Sequence, residues 1–191
     1  ISGSPANVST TPQTFNYTVN ATGTCLPSSV TGTITINPDA TITLTSGAAT
    51  TAQELCKNTA LTDVTYTIAG GATGVTGTGF PTGVAYSLTG GVVTIGGIPT
   101  VAGTFNYTIT TTGTCVQTQA TGTIIVNELP TANFTVVAPN CENKPIIFND
   151  ASVPNSGNLN GWNWNFGDAT TGTGITTTHT YAVAGTYTAT L

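Results

Sequence analysis

The sequence predicts an all-β chain of tandem antiparallel β-sandwiches. Three observations carry the prediction: a threonine-rich composition with little support for helix, apolar residues that alternate with period two, and an internal repeat of ninety residues. Of 191 residues 46 are Thr, 23 Gly and 10 Pro, with no Met. Threonine is β-branched, so it loses side-chain freedom in a helix and fits the pleated surface of a strand. Its hydroxyl also keeps an almost uncharged surface wetted. A disordered threonine-rich tract would have the same bias, but hydrophobic residues make up 38% of the chain and they alternate in order, which disorder does not require.

The repeat sets the organisation. "TFNYTVNATGTC" at 14–25 returns as "TFNYTITTTGTC" at 104–115, with nine of twelve letters identical. "TGTITIN" at 31–37 returns at the same spacing as "TGTIIVN" at 121–127, and "ISGSP" at 1–5 resembles "IGGIP" at 95–99. A ninety-residue unit is too long for a solenoid and suits separate domains, each with its own core. Three segments are expected: 1–38 as the closing strands of one unit, 39–128 as a complete unit, and 129–191 as a different domain.

Within the complete unit, Phe105, Tyr107 and Ile109 share one face, and Ile124 and Val126 alternate likewise after the turn "TTGTCVQTQ", so 104–126 reads as a hairpin. Upstream, "TITLTS" (41–46), "TDVTYTI" (62–68), "VAYSL" (84–88) and "VVTI" (92–95) read as strands, separated by Gly-Gly pairs at 70–71, 90–91 and 96–97. Short strands at this spacing indicate an antiparallel sandwich.

The stretch "GFPTGVAYSLTGGVVTIGGIPTVAGTFNYTIT" resembles the immunoglobulin-like modules of bacterial surface proteins. Phe80-Pro81-Thr82-Gly83 stands where the family has Leu-Pro-x-Gly. The resemblance implies an immunoglobulin-like sandwich whose glycines and prolines set turns, with nothing catalytic. After "NELPTAN" the wording changes. Trp164, Phe166, Gly167, Asp168, His179, Tyr181, Gly185, Tyr187 and Leu191 follow the pattern of the polycystic-kidney-disease (PKD) domain, which residues 131–191 resemble. Ala169 replaces that family's usual Gly, which bears on the local turn. The fold class implied is therefore tandem immunoglobulin-like sandwiches ending in a PKD-type sandwich. Family members run two strands further, so the segment reads as truncated within its penultimate strand.

Composition also excludes functions. Lys57 and Lys144 are the only basic residues and the net charge is −5. Nucleic-acid binding and attachment to an anionic membrane need Lys and Arg that this chain lacks. No apolar run of about 20 residues is present for membrane insertion. No signal peptide is visible, so the sequence is expected to be an interior piece of a longer protein. The four cysteines, low charge and scarcity of trypsin-like cleavage sites suit an extracellular, cell-surface location.

No catalytic site is expected. His179 is the single histidine and has no nucleophile motif beside it; its place in "HTY" reads as structural. Asp168 reads as an acceptor of turn amides, the alternative being a calcium ligand. No cofactor is expected. Zinc lacks a Cys or His cluster, and calcium is left with the scattered carboxylates Asp39 and Glu128 at the domain junctions. Trp162 is the candidate ligand contact, able to stack on a sugar ring, against the plainer reading that it packs under a neighbouring loop.

The cysteines are expected to pair within a unit, one early and one in the last hairpin, giving Cys56–Cys115 and leaving Cys25 and Cys141 with partners outside the sequence. The rival scheme is Cys25–Cys56 with Cys115–Cys141. Taken whole, the chain resembles a fragment of the giant repetitive gliding-motility adhesins of Bacteroidetes. That resemblance implies a stiff stalk, with "NPDA" and "NELP" as short, proline-stiffened linkers. It also implies as partners an external surface, a polysaccharide or other adhesin domains. The alternative is a set of accessory carbohydrate- or protein-binding modules of a large secreted hydrolase.

Overall fold

A computed structural model describes residues 10–137 and 140–191. The opening of the 1–38 segment, with the "ISGSP" half of its repeat, lies outside the described residues. The protein is all-β, apart from one 3-10 turn at Ala48–Thr51 among the described residues. It divides into two compact units, Ile1–Val126 and Asn127–Leu191.

The first unit opens with strands β1 (Gln13–Ala21) and β2 (Ser28–Ile36), which among the described residues pair only with each other in a two-stranded sheet. Eight strands then build a sandwich: β3 (Ala40–Leu44), β4 (Ala52–Cys56), β5 (Val64–Gly70), β6 (Ala72–Thr78), β7 (Val84–Thr89), β8 (Val92–Gly97), β9 (Gly103–Gly113) and β10 (Gln119–Asn127). One sheet has the order β3-β5-β8-β7 and the other β4-β10-β9-β6. Period-two alternation puts Val64, Tyr66, Val93 and Ile95 of the first sheet against Tyr107, Ile109, Ile124 and Val126 of the second, all buried. Burying each such side chain contributes about 1.5–3 kcal/mol, which makes this layer the source of the unit's stability.

The chain changes sheets between β3 and β4, and polar side chains replace the ladder there. Gln53 Nε2 donates to the carbonyls of Thr50 (2.9 Å) and Thr62 (2.8 Å), while its Oε1 accepts the Thr62 N–H at 2.9 Å. Ser46 Oγ accepts the Thr65 N–H at 3.0 Å. Neither β4 nor β6 is predicted by the sequence. The β4 segment "AQELC" has no β-branched residue, and β6, "ATGVTGT", has two glycines. Gly77 explains the second case. A Cβ there would come within 2.7 Å of the Tyr86 ring and 2.8 Å of Ile109 Cδ1, so the core demands a glycine that strand propensity disfavours.

The second unit holds β11 (Phe134–Val137), β12 (Pro145–Asp150), β13 (Asn163–Asn165), β14 (Thr171–Thr173) and β15 (Thr176–Thr180). The orders are β11-β12-β15 and β13-β14. Ile146, Phe148, Trp164, Phe166 and Tyr181 form its core. The expected tryptophan strand is only three residues long. Near Leu191, where the sequence reads a penultimate strand, Thr190 alone of residues 181–191 forms a bridge, exchanging two hydrogen bonds with Asn165 (2.9 and 2.8 Å). Alternating side chains supply a face, but a strand also needs a neighbour for its amides.

Candidate functional sites

The polar chemistry of the second unit gathers at the turn after Phe166. Asp168 Oδ1 accepts the Thr170 N–H (3.1 Å) and hydroxyl (2.6 Å), and its Oδ2 lies 2.7 Å from His179 Nε2. These bonds, Thr170's first and then His179's, hold the Asp168 carboxyl below the usual carboxylate range. The His179 ring stacks on Phe166 at 4.2 Å with only 5° between planes, and meets the edge of Tyr181 at 4.5 Å. Tyr181 in turn donates its hydroxyl to the Phe166 carbonyl at 2.8 Å. Desolvation raises the Tyr181 phenol, with the Asp168 charge adding to it.

This is a closed polar knot over an aromatic stack. Among the described residues the hydrogen-bond partner of His179 is Asp168; an activated nucleophile would need a hydroxyl or thiol within hydrogen-bond reach of the ring. Asp168 does bond a turn amide, as the sequence suggests, and the geometry adds His179 as a second partner. The turn itself shows the cost of the missing glycine, since Ala169 sits at φ 68° in the left-handed region.

Trp162 precedes β13 and is half-buried. Its Nε1 is buried and makes no well-formed hydrogen bond. It still contributes, behind Ser152, to holding the Asp150 carboxyl below its usual range. Trp164, two residues on, is fully buried and donates its Nε1–H to the Gly174 carbonyl at 2.8 Å. A cleft of about 490 Å³ lies elsewhere in this unit, with Phe134, Glu142, Ile146, Phe148 and Tyr187 among the residues that line it. Sequence reasoning does not find it, because its walls come from segments some fifty residues apart whose alternation signals only a core. Asp39, a junction carboxylate, accepts the Val116 N–H at 3.2 Å through Oδ1. Among the described residues no three of His, Cys, Asp and Glu lie together in a group that could hold a metal ion.

The expected Cys56–Cys115 bridge is corrected by the geometry. Cys115 lies past the end of β9, its Sγ 3.5 Å from the Asn37 carbonyl. Cys56 lies at the other end, where the following Asn58 N–H donates to the Pro99 carbonyl, ahead of β9. The eleven residues of β9 separate the two, about 35 Å at about 3.3 Å per residue. Bridged Cα atoms must lie within about 7 Å, and both thiols are free.

Comparison with known proteins agrees with this architecture. A PKD-domain family model covers the second unit. Residues 127–191 match the PKD domain. Over the longer stretch the chain is similar to the I-band fragment I67-I69 from titin, with a TM-score of 0.53 at 11% identity. That match covers 83% of this chain and 56% of the titin fragment. At such identity the likeness is one of fold: tandem immunoglobulin-like β-sandwiches. Domains 4-9 of the surface layer protein SbsC also match, with a TM-score of 0.38 at 15% identity, covering 73% of this chain and 24% of that one. None of the curated proteins matches the chain.

Proposed function

We propose that this chain is a non-catalytic, extracellular repeat region of a cell-surface adhesin, a stiff stalk that supports attachment to external surfaces and gliding movement. One observation carries the reading. The conspicuous ionisable pair, Asp168 and His179, is spent on holding a turn against an aromatic stack, in a chain whose first unit repeats its own wording at a spacing of ninety residues. The short proline-bearing linkers support stiffness, and the resemblance to gliding-motility adhesins supports the surface role. Fab fragments raised against residues 39–128 should label intact producing cells and reduce their attachment to glass. Absence of label on intact cells, with label after lysis, would overturn the reading.

A second reading is favoured by the half-open Trp162 and the cleft beside Phe134: accessory modules of a secreted hydrolase that bind polysaccharide. Retention on a polysaccharide affinity gel that falls at least about tenfold in Trp162→Ala would select it, since an aromatic stacking platform is worth about 1–3 kcal/mol.

A further inference from the structure

The hairpin β1–β2 is built like β9–β10 and lacks what β9–β10 has. Its register is the same once shifted by ninety residues: Gln13 opposite Ile36 as Gly103 is opposite Val126, and Tyr17 opposite Gly32 as Tyr107 is opposite Gly122. The cross-strand arrangement is also the same. A Cβ on Gly32 would fall within 2.4 Å of the Tyr17 ring, and one on Gly122 within 2.4 Å of the Tyr107 ring. The surroundings differ. Tyr107, Ile109 and Ile124 have no exposed surface, while their counterparts Tyr17, Val19 and Ile34 are 36%, 51% and 42% exposed. Phe15 and Val30 on the same hairpin are more open still.

The intact unit shows what covers such a face. Tyr66 of β5 brings its hydroxyl to 3.2 Å from that of Tyr107, and Phe80 stacks on the Tyr107 ring at 5.5 Å. On the edges, β6 pairs with β9 and β4 flanks β10. In β1–β2 both outer edges are unpaired among the described strands. Five half-exposed apolar side chains leave about 500 Å² of apolar surface, the size of the largest patch on an ordinary monomer. A stable interface takes about 800 Å² per partner. Two hairpins face to face fall short of that, whereas a partner that covers the face and also adds a strand to each edge reaches it.

We propose that β1–β2 is a docking surface for the front half of a repeat of this same kind. The partner is a segment with the strand order of β3 to β8, which presents a tyrosine at the Tyr66 position and an aromatic ring at the Phe80 position. Docking lays a strand on each edge of the hairpin and closes a sandwich around Tyr17. Docking of this kind does not depend on any adhesive role.

The test fuses residues 39–94 ahead of Ile1, at the spacing the repeat dictates, and follows amide hydrogen exchange at Phe15–Val19 and Val30–Ile34. Exchange should slow about a hundredfold or more against the unfused chain, as for amides moved from an open ladder into a core. Gly32→Val should abolish that protection in the fusion and change little in the unfused chain, where the Tyr17 ring can swing away. Unchanged exchange in the fusion would overturn the proposal, as would equal protection from concentration-dependent self-association of the unfused chain. Should the fusion not fold, residues 39–97 carrying an affinity tag are co-expressed with the full chain. Recovery of the full chain should fall about tenfold for the Phe15→Ser, Val19→Ser, Val30→Ser variant. Equal recovery of both chains, or none of either, counts against it.

Discussion

Ala169 holds a left-handed conformation that an L side chain adopts at a cost of about 1–2 kcal/mol. Ala169→Gly should therefore raise the stability of the second unit by about 1 kcal/mol, read from its denaturation midpoint; an unchanged or lowered midpoint would show that the turn is not strained. Asp168, one residue before, gives the unit an acid limb. Its folded carboxyl is held below the ordinary value, so its contribution is full above about pH 4 and is lost as pH falls through the folded value. Asp168→Asn should flatten that limb in pH-dependent unfolding and leave the slope at neutral pH unchanged. In the first unit, Tyr107 is pushed well above the usual phenol range, by burial first and by its bond to Tyr66 second. Tyr107→Phe keeps the ring and leaves the buried Tyr66 hydroxyl without its partner, at a cost of about 1 kcal/mol. Tyr107→Ala also opens a cavity and should cost about 3–5 kcal/mol. Similar losses for the two variants would mean that the ring packs less closely than the structure shows.

Among the elements, the cysteine-bearing ends of β4 and the β9–β10 hairpin make the plainest prediction. Non-reducing peptide mapping of the chain should give no peptide joining Cys56 to Cys115, and finding one would require a rearranged sandwich. That pairing was read from position along the chain, and chain position says nothing about which end of a sheet a residue reaches. The hairpin β9–β10, by contrast, was legible down to its buried residues. Alternation of Phe105, Tyr107 and Ile109 specifies a face, and the repeat confirms it by spelling the same face at Phe15, Tyr17 and Val19. Strands β4 and β6 escaped because tertiary context made them. Gln53 bridges the crossing into β4, and Gly77 yields room to Tyr86 and Ile109. Of the candidate sites, His179 and Asp168 were legible as residues but not as a pair, since nothing in their spacing shows that β15 returns beside the Asp168 turn. Trp162 is named by the sequence only as a candidate ligand contact, and the closeness of its Nε1 to Asp150 has no signal there.

At the scale of the whole molecule, the proposed role is that of a stiff stalk. Small-angle X-ray scattering of the monomeric chain at physiological salt tests this most directly. The proposed stalk predicts an elongated particle with a radius of gyration of about 25 Å. A radius near the roughly 16 Å expected of a single compact domain of this length, with a symmetric pair-distance distribution, would contradict the stalk.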